Sequence, residues 1–257
     1  MSCCLELSLL PSPVLALVER RDDGYVKRFG VRKGARIWED PYLSGRWFDP
    51  WRYLNDVDKP LADRVHGLLE KYGDCIGISI SPGDEGLIFV VSFLTQNTDY
   101  YSNVLRWTRA LFERSERLED IAAEAPKVGG SYQLRRLPRA IERYLSLKPK
   151  TRLDLLAIEG VGPKTADLYL LYTGDTSAAP VDKHFIRSAS DLGLAGEPPN
   201  PRYCRRYSCA ECPLAGRCIR GQAQFRLGRL AGWVQTVVWL SSNRRTAQTL
   251  RGCSGGR

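Results

Sequence analysis

The hydrophobic positions of this chain change their spacing once, near residue 51. Before that point, residues 14–21 and 25–31 have the composition of strands on either side of an Asp-Gly turn, and residues 35–38 suggest a third strand. From residue 51 onward the apolar positions recur at the spacing of helices. The sequence therefore predicts a mainly helical, α+β protein that begins with a small antiparallel sheet.

Two later segments add detail to the helical part. Residues 87–94 are apolar on most sides of a helix, which predicts a central, buried helix. Residues 227–238 have the pattern of an amphipathic helix, with apolar positions three and four residues apart. Residues 244–257 are rich in arginine, glycine and serine, and we expect a flexible tail there.

The segment 151–173 has the pattern of two helices joined by a tight glycine turn, a helix-hairpin-helix. Thr151 is placed to cap the first helix, and Pro163 favours the first position of the second. Between them, Gly160 and Gly162 allow the backbone to approach a ligand closely. Free backbone amides at the start of a helix bind phosphate, so both glycines are candidate DNA-binding residues.

Lys164 follows this turn directly, so it lies in the first turn of the second helix. The helix dipole disfavours a cation there by about 0.3–1 kcal/mol, which lowers the pKa of the amine. Partial desolvation would lower it further and give the neutral amine that covalent catalysis needs. Asp182 begins another predicted helix, so an amine and a carboxylate could meet at two helix N-termini.

The string from Ile158 to Ala166, followed by residues 180–184, resembles the helix-hairpin-helix (HhH-GPD) DNA glycosylase superfamily. Endonuclease III and 8-oxoguanine DNA glycosylase are its bifunctional members. The resemblance implies that Lys164 attacks the sugar C1′ and that Asp182 is the catalytic carboxylate. It also implies a bifunctional DNA N-glycosylase and AP lyase of base excision repair, which extrudes an oxidised base from double-stranded DNA and nicks the strand.

Two more candidate residues, Gln96 and Tyr132, come from the same resemblance, and a third, Arg135, comes from the distribution of basic residues. Gln96 lies in a string similar to the Gln-x-Thr-Asp segment of endonuclease III, where the glutamine enters the space left by the extruded base. Tyr132 occupies the place of a duplex-invading loop, and Arg135 opens a basic helix that we expect to follow the DNA backbone. A polar helix end, a packed loop tyrosine and a solubilising surface are the alternatives for these three residues.

Four cysteines fall within one fifteen-residue stretch: Cys204, Cys209, Cys212 and Cys218. Thiolates this close together hold either a tetrahedral zinc or an iron–sulfur cluster, and their spacing alone does not choose between them. The last two spacings match the [4Fe–4S] loop of endonuclease III, whereas four residues rather than six separate the first pair. The resemblance implies a [4Fe–4S] cluster, with zinc as the alternative. We expect Cys3, Cys4, Cys75 and Cys253 to be ordinary thiols.

The resemblance also divides the chain into domains. It implies a small β domain over residues 1–50 and a six-helix barrel over residues 85–186. A second helical domain combines residues 51–84 with residues 187–243 and carries the metal loop, residues 204–218. The flexible tail follows. The resemblance to the family extends to specific residues from about residue 77 to residue 218. Before residue 77 it concerns only the architecture.

Composition changes this picture little. A net charge of +9 and a pI near 9.2 agree with a nucleic-acid partner, although basicity alone is weak support. We find no signal peptide or membrane span, and we expect a monomeric cytoplasmic protein that associates with the nucleoid. Two other functions stay open: a monofunctional glycosylase, and a non-catalytic helix-hairpin-helix DNA-binding protein with a structural zinc.

Overall fold

The computed structural model describes residues 2–253, with the side chains of residues 6–243 and 245–250. It is mainly helical and has one two-stranded antiparallel sheet, so the predicted fold class is confirmed. The strands are β1 (Val18–Arg21) and β2 (Gly24–Lys27). The helices are α1 (Ser2–Leu9), α2 (Lys59–Tyr72), α3 (Glu85–Leu94), α4 (Leu105–Phe112), α5 (Leu118–Val128), α6 (Tyr132–Leu147), α7 (Arg152–Leu156), α8 (Pro163–Tyr172), α9 (Lys183–Ser188), α10 (Pro201–Cys204), α11 (Ile219–Leu227), α12 (Ala231–Ser242) and α13 (Arg244–Cys253).

The N-terminal sheet is smaller than the sequence predicts. Residues Pro13–Leu17 form a 3-10 helix instead of the first half of a strand, because Ser12 caps the turn and Pro13 fixes its own φ near helical values. The third predicted strand, residues 35–38, is reduced to an isolated bridge between Val26 and Arg36. What remains is a single hairpin of four residues a side.

A buried ion pair fastens this hairpin to the helices. Lys27, at the end of β2, has a fully buried side chain whose amine contacts Asp84 and Ser81. Asp84 directly precedes α3, and its other carboxylate oxygen accepts a hydrogen bond from the backbone amide of Val31 at 2.8 Å. The hairpin is therefore held on the N-terminal end of α3 by charge as well as by apolar packing.

Helix α3 is the centre of the core, as its apolar pattern predicts. Every residue from Leu87 to Leu94 is buried. The helix packs against α6 and α8, and the rings of Phe89 and Tyr144 stack with their centroids 4.3 Å apart. Despite these apolar stretches, no helix within the described part of the chain is long and apolar enough to cross a membrane.

Two expectations about the ends of the chain and its thiols are wrong. The segment that begins at Arg244 forms a helix rather than a flexible tail, and its Leu250 is buried; residues 254–257 lie outside the described residues. Cys75 is disulfide-bonded rather than an ordinary thiol. The side chains of Cys3, Cys4 and Cys253 lie outside the described part, so the expectation for them stays a prediction.

Candidate active site

The helix-hairpin-helix is present where the sequence places it. Thr151 and Asp154 form the predicted capping box of α7, and Pro163 begins α8. Gly160 turns the chain with a φ of +86°, in the left-handed region that favours glycine. Gly162 has an ordinary φ of −101°, and open space surrounds the position where a side chain would begin. The backbone at Gly162 is therefore accessible to a ligand.

Lys164 lies in the first turn of α8 and is partly buried. Its amine donates a hydrogen bond to the hydroxyl of Thr95, just past the end of α3, at 3.1 Å. Burial lowers the pKa of the Lys164 amine, and the nearby carboxylate of Asp182 acts in the opposite direction. The neutral amine is consequently more available near pH 7 than that of an ordinary lysine.

Asp182 is the N-cap of α9, as its position in the sequence indicates. Its Oδ1 accepts hydrogen bonds from the backbone amides of His184 and Phe185, both at 2.9 Å. These two bonds fix the orientation of the carboxylate. Its Oδ2 accepts no hydrogen bond from the residues that the structure describes, so one oxygen remains available to a substrate.

Lys164 and Asp182 face the same cleft, which has a volume of about 1000 Å³. Pockets that hold small ligands span about 300–1000 Å³, so the cleft has room for an extruded nucleotide. Its walls come from segments far apart in the chain: Pro11, Pro13, Gln96, Tyr100, Tyr101, Gly162, Leu168, Tyr172, Arg205, Gln235 and Trp239. The predicted amine and carboxylate are thus brought together in a cavity of suitable size.

Gln96 lines this cleft, and Tyr132 lies next to Gln96. The backbone carbonyl of Gln96 accepts hydrogen bonds from Gln133 Nε2 at 2.6 Å and from the Tyr132 hydroxyl at 3.3 Å. The side-chain amide of Gln96 donates to the carbonyl of Phe93 at 2.8 Å, which closes the end of α3. Tyr132 is 38% exposed, and Arg135 is exposed one turn further along α6. Their roles on DNA stay predictions.

The segment after α3 has an unusual backbone. Asn97 has a φ of +45°, which is uncommon for a residue other than glycine. Asp99 then caps a short π-helix, Tyr100–Val104, that turns two tyrosines toward the cleft. Backbone strain and π-helical turns both occur preferentially at functional sites, and the strain here borders the cavity that holds Lys164.

Sequence reasoning missed several residues of the cleft. Thr95, whose hydroxyl accepts a hydrogen bond from the Lys164 amine, directly precedes Gln96 in the string that predicts a role for that glutamine. Gln235 and Trp239 come from α12, more than sixty positions after Lys164. One signal was present in the sequence: Gln235 is an amide within the mostly apolar pattern of α12, and such a residue needs a hydrogen-bond partner when it is buried, as it is here.

The four clustered cysteines line one pocket next to α10 and α11, and all four are free thiols. Arg220 donates from Nη1 to the sulfur of Cys209 at 3.0 Å, and Arg152 Nη2 lies 3.8 Å from the sulfur of Cys204. Burial raises the pKa of the Cys204 thiol, although the Arg152 guanidinium beside it acts the other way. A metal would displace that proton on binding.

The donor chemistry of this pocket suits a thiolate-bound metal, because reduced sulfurs and cationic hydrogen-bond donors converge on it. Among the described side chains, those of residues 6–243 and 245–250, no group of three histidine, cysteine, aspartate or glutamate residues lies close enough together to hold a metal ion. The four cysteines therefore line one pocket, but their side chains are not close enough together to form a coordination sphere.

Comparisons with known proteins agree with this geometry. No protein-family model matches the chain. The endonuclease III of Bacillus subtilis (strain 168) is 28% identical over 214 residues, an alignment that covers 64% of this chain and 96% of that protein.

Solved structures that share the fold include two that are bound to DNA. One is the 8-oxoguanine glycosylase/lyase of Clostridium acetobutylicum in complex with double-stranded DNA containing cytosine opposite 8-oxoguanine. It has a TM-score of 0.61 and 14% identity, and the match covers 86% of both chains. The other, MBOgg1 in complex with a low affinity DNA ligand, has a TM-score of 0.60 and 17% identity over 98% of this chain and 92% of that one. The predicted resemblance to the helix-hairpin-helix DNA glycosylase superfamily is confirmed.

Proposed function

We propose that this chain is a DNA glycosylase of base excision repair that also has AP lyase activity, and that it acts on an oxidised base in double-stranded DNA. The observation that carries the proposal is the desolvated amine of Lys164, held on the same cleft as the carboxylate of Asp182. Relatives named endonuclease III and 8-oxoguanine glycosylase/lyase support the coarser part, a DNA glycosylase.

The chemistry uses the neutral amine as a nucleophile. After the damaged nucleotide enters the cleft, Lys164 Nζ bonds to C1′ while the C1′–N bond breaks and its electron pair leaves with the base. A proton from the alkylated nitrogen passes to the departing base, with Asp182 stabilising the cationic sugar. The C1′–O4′ bond then breaks, O4′ takes up a proton from solvent, and a protonated imine joins Lys164 Nζ to C1′. Loss of a 2′ proton then breaks the C3′–O bond and nicks the strand.

Trapping with borohydride tests this proposal, because reduction of the imine makes the adduct permanent. We expect a covalent adduct between the protein and a duplex carrying an abasic site or an oxidised base, and no adduct with Lys164→Ala. Lys183→Ala is the matched control, because Lys183 opens on the same cleft but is exposed. It should still form the adduct.

The other outcomes point to different functions. Base release without a trapped adduct would indicate a monofunctional glycosylase. Tight binding of damaged DNA with neither reaction would indicate a DNA-binding protein without catalysis. A panel of duplexes, each with one oxidised pyrimidine or 8-oxoguanine, identifies the base that is removed.

For the cysteine pocket we propose a [4Fe–4S] cluster, with zinc as the alternative. Cys204, Cys209, Cys212 and Cys218 would hold it. Bound there, the group would brace the arginine-rich loop that carries these cysteines against DNA phosphates. A brown protein whose visible absorption bleaches on reduction supports the cluster, whereas a colourless protein with one zinc per chain refutes it.

A further inference from the structure

Asp167 lies on α8, three residues after Lys164, and its side chain is 0% exposed. Arg152, at the start of α7, holds it with two parallel hydrogen bonds: Nε to Oδ1 at 2.8 Å and Nη2 to Oδ2 at 3.1 Å. Arg220, at the start of α11, donates from Nη2 to Oδ1 at 3.0 Å. One buried carboxylate therefore joins three helices.

Both guanidiniums also reach the cysteine pocket, Arg220 through Nη1, which does not contact Asp167, and Arg152 through the same Nη2 that donates to Asp167. Arg220 donates to the sulfur of Cys209 at 3.0 Å, and Arg152 lies 3.8 Å from the sulfur of Cys204. Two cations share one carboxylate, so one positive charge is left over in a buried site. A metal-bound thiolate would compensate that charge, whereas a neutral thiol would not. Arg152 Nη1 is also buried without a hydrogen-bond partner among the described residues. This nitrogen can therefore still donate a hydrogen bond.

Such a buried charged cluster is a poor way to stabilise a fold, because desolvation offsets the attraction between its members. It does fix geometry, since a bidentate arginine–carboxylate pair tolerates little movement. Here the fixed element is the first turn and a half of α8, which carries Lys164. The same cluster fixes the guanidiniums that touch the sulfurs.

We propose that Asp167 is a positioning residue that couples the cysteine pocket to the nucleophile: through Arg152 and Arg220 it holds the start of α8 in register with the cysteine loop. The proposal rests on the proposed function. Loss of the Asp167 charge releases both arginines, so the lysine helix loses its orientation and the sulfurs lose their donors together.

The test is Asp167→Asn, which keeps the size of the side chain and removes its charge. Two quantities are measured on the full-length protein as purified: the rate of borohydride-trapped adduct formation at saturating abasic duplex, and the rate at which its cysteines react with a disulfide reagent. Saturating DNA removes any contribution from affinity. We expect the adduct rate to fall by about ten- to a hundredfold, as displaced catalytic groups cause. We expect the cysteines to react faster, because sulfurs that are buried or half-buried in the wild type become accessible when their loop is no longer held.

Asp84→Asn is the matched control. Asp84 is also buried and paired with a buried cation, Lys27, but it lies at the start of α3 and contacts neither α8 nor a cysteine. It should lower the unfolding temperature and leave both measured rates as in the wild type. If Asp167→Asn does not fold, the double variant Arg152→Met with Asp167→Asn removes one charge of each sign and should show the same two changes.

The outcomes separate this proposal from the proposed function. If Asp167→Asn loses only thermal stability, as Asp84→Asn does, Asp167 is a structural residue and the coupling is wrong. A change in cysteine reactivity with an unchanged adduct rate also overturns the coupling. If the wild-type protein forms no adduct at all, the proposed function fails first, and the link to Lys164 fails with it.

Discussion

The substitution Gly160→Ala should reduce the stability of the hairpin's fold, which can be measured without DNA. Gly160 has a φ of +86°, a conformation that costs a residue with a side chain about 1–2 kcal/mol. Its new Cβ would also lie 3.1 Å and 3.2 Å from two ring carbons of Phe93, which is buried in the core and has little room to move. We therefore expect the free energy of unfolding to fall by at least about 1–2 kcal/mol. In a chain of this size, that loss lowers Tm by about 2–8 °C.

Gly162→Ala is the matched control for that measurement. Gly162 has a φ of −101° and nothing within 4 Å of its new Cβ, so the free energy of unfolding should change by less than about 1 kcal/mol. If DNA phosphate approaches this backbone, the added methyl group should weaken binding by about tenfold, or 1.4 kcal/mol. Urea unfolding and duplex binding are measured for both variants. Wild-type stability in Gly160→Ala, or wild-type DNA affinity in Gly162→Ala, would refute the reasoning for that position.

Three further predictions use the same reasoning. Asp182→Asn should lower the maximal rate of adduct formation and move its pH midpoint downward, because the Asp182 carboxylate raises the pKa of Lys164 against the effect of burial; a midpoint that moves upward contradicts the assignment. Asp84→Asn leaves Lys27 buried without its counter-charge and should cost about 3–5 kcal/mol in urea unfolding, while a loss below about 1 kcal/mol would show that the pair is solvated. Arg135→Ala should reduce the slope of log affinity against log salt by about 1 for every duplex, and an unchanged slope would place this arginine away from the DNA.

The hairpin and the lysine could be predicted because their signals are local. Proline at the first position of α8, glycine at a positive φ and the capping box of α7 each fix the backbone within a few residues. The apolar pattern of α3 similarly predicts its burial. Such patterns act through neighbours in the chain, so a single sequence is enough to read them.

The rest depends on contacts between distant segments. Asp167 looks like an ordinary polar residue of α8 until Arg220, fifty-three positions later, folds onto it. Gln235 joins the cleft only through the packing of α12. At the N-terminus, a proline and a serine cap convert half of a predicted strand into a 3-10 helix, which shows a local signal overriding hydrophobic pattern.

The position of the trapped adduct on the protein shows directly whether Lys164 is the nucleophile. The protein is incubated with an abasic duplex and borohydride, digested with protease and nuclease, and its peptides are analysed by mass spectrometry. We expect a sugar remnant on the side chain of Lys164, in the peptide that contains this residue. A remnant on another lysine or on the N-terminal amine, or strand cleavage with no modified peptide, would contradict the assignment of Lys164 as the nucleophile.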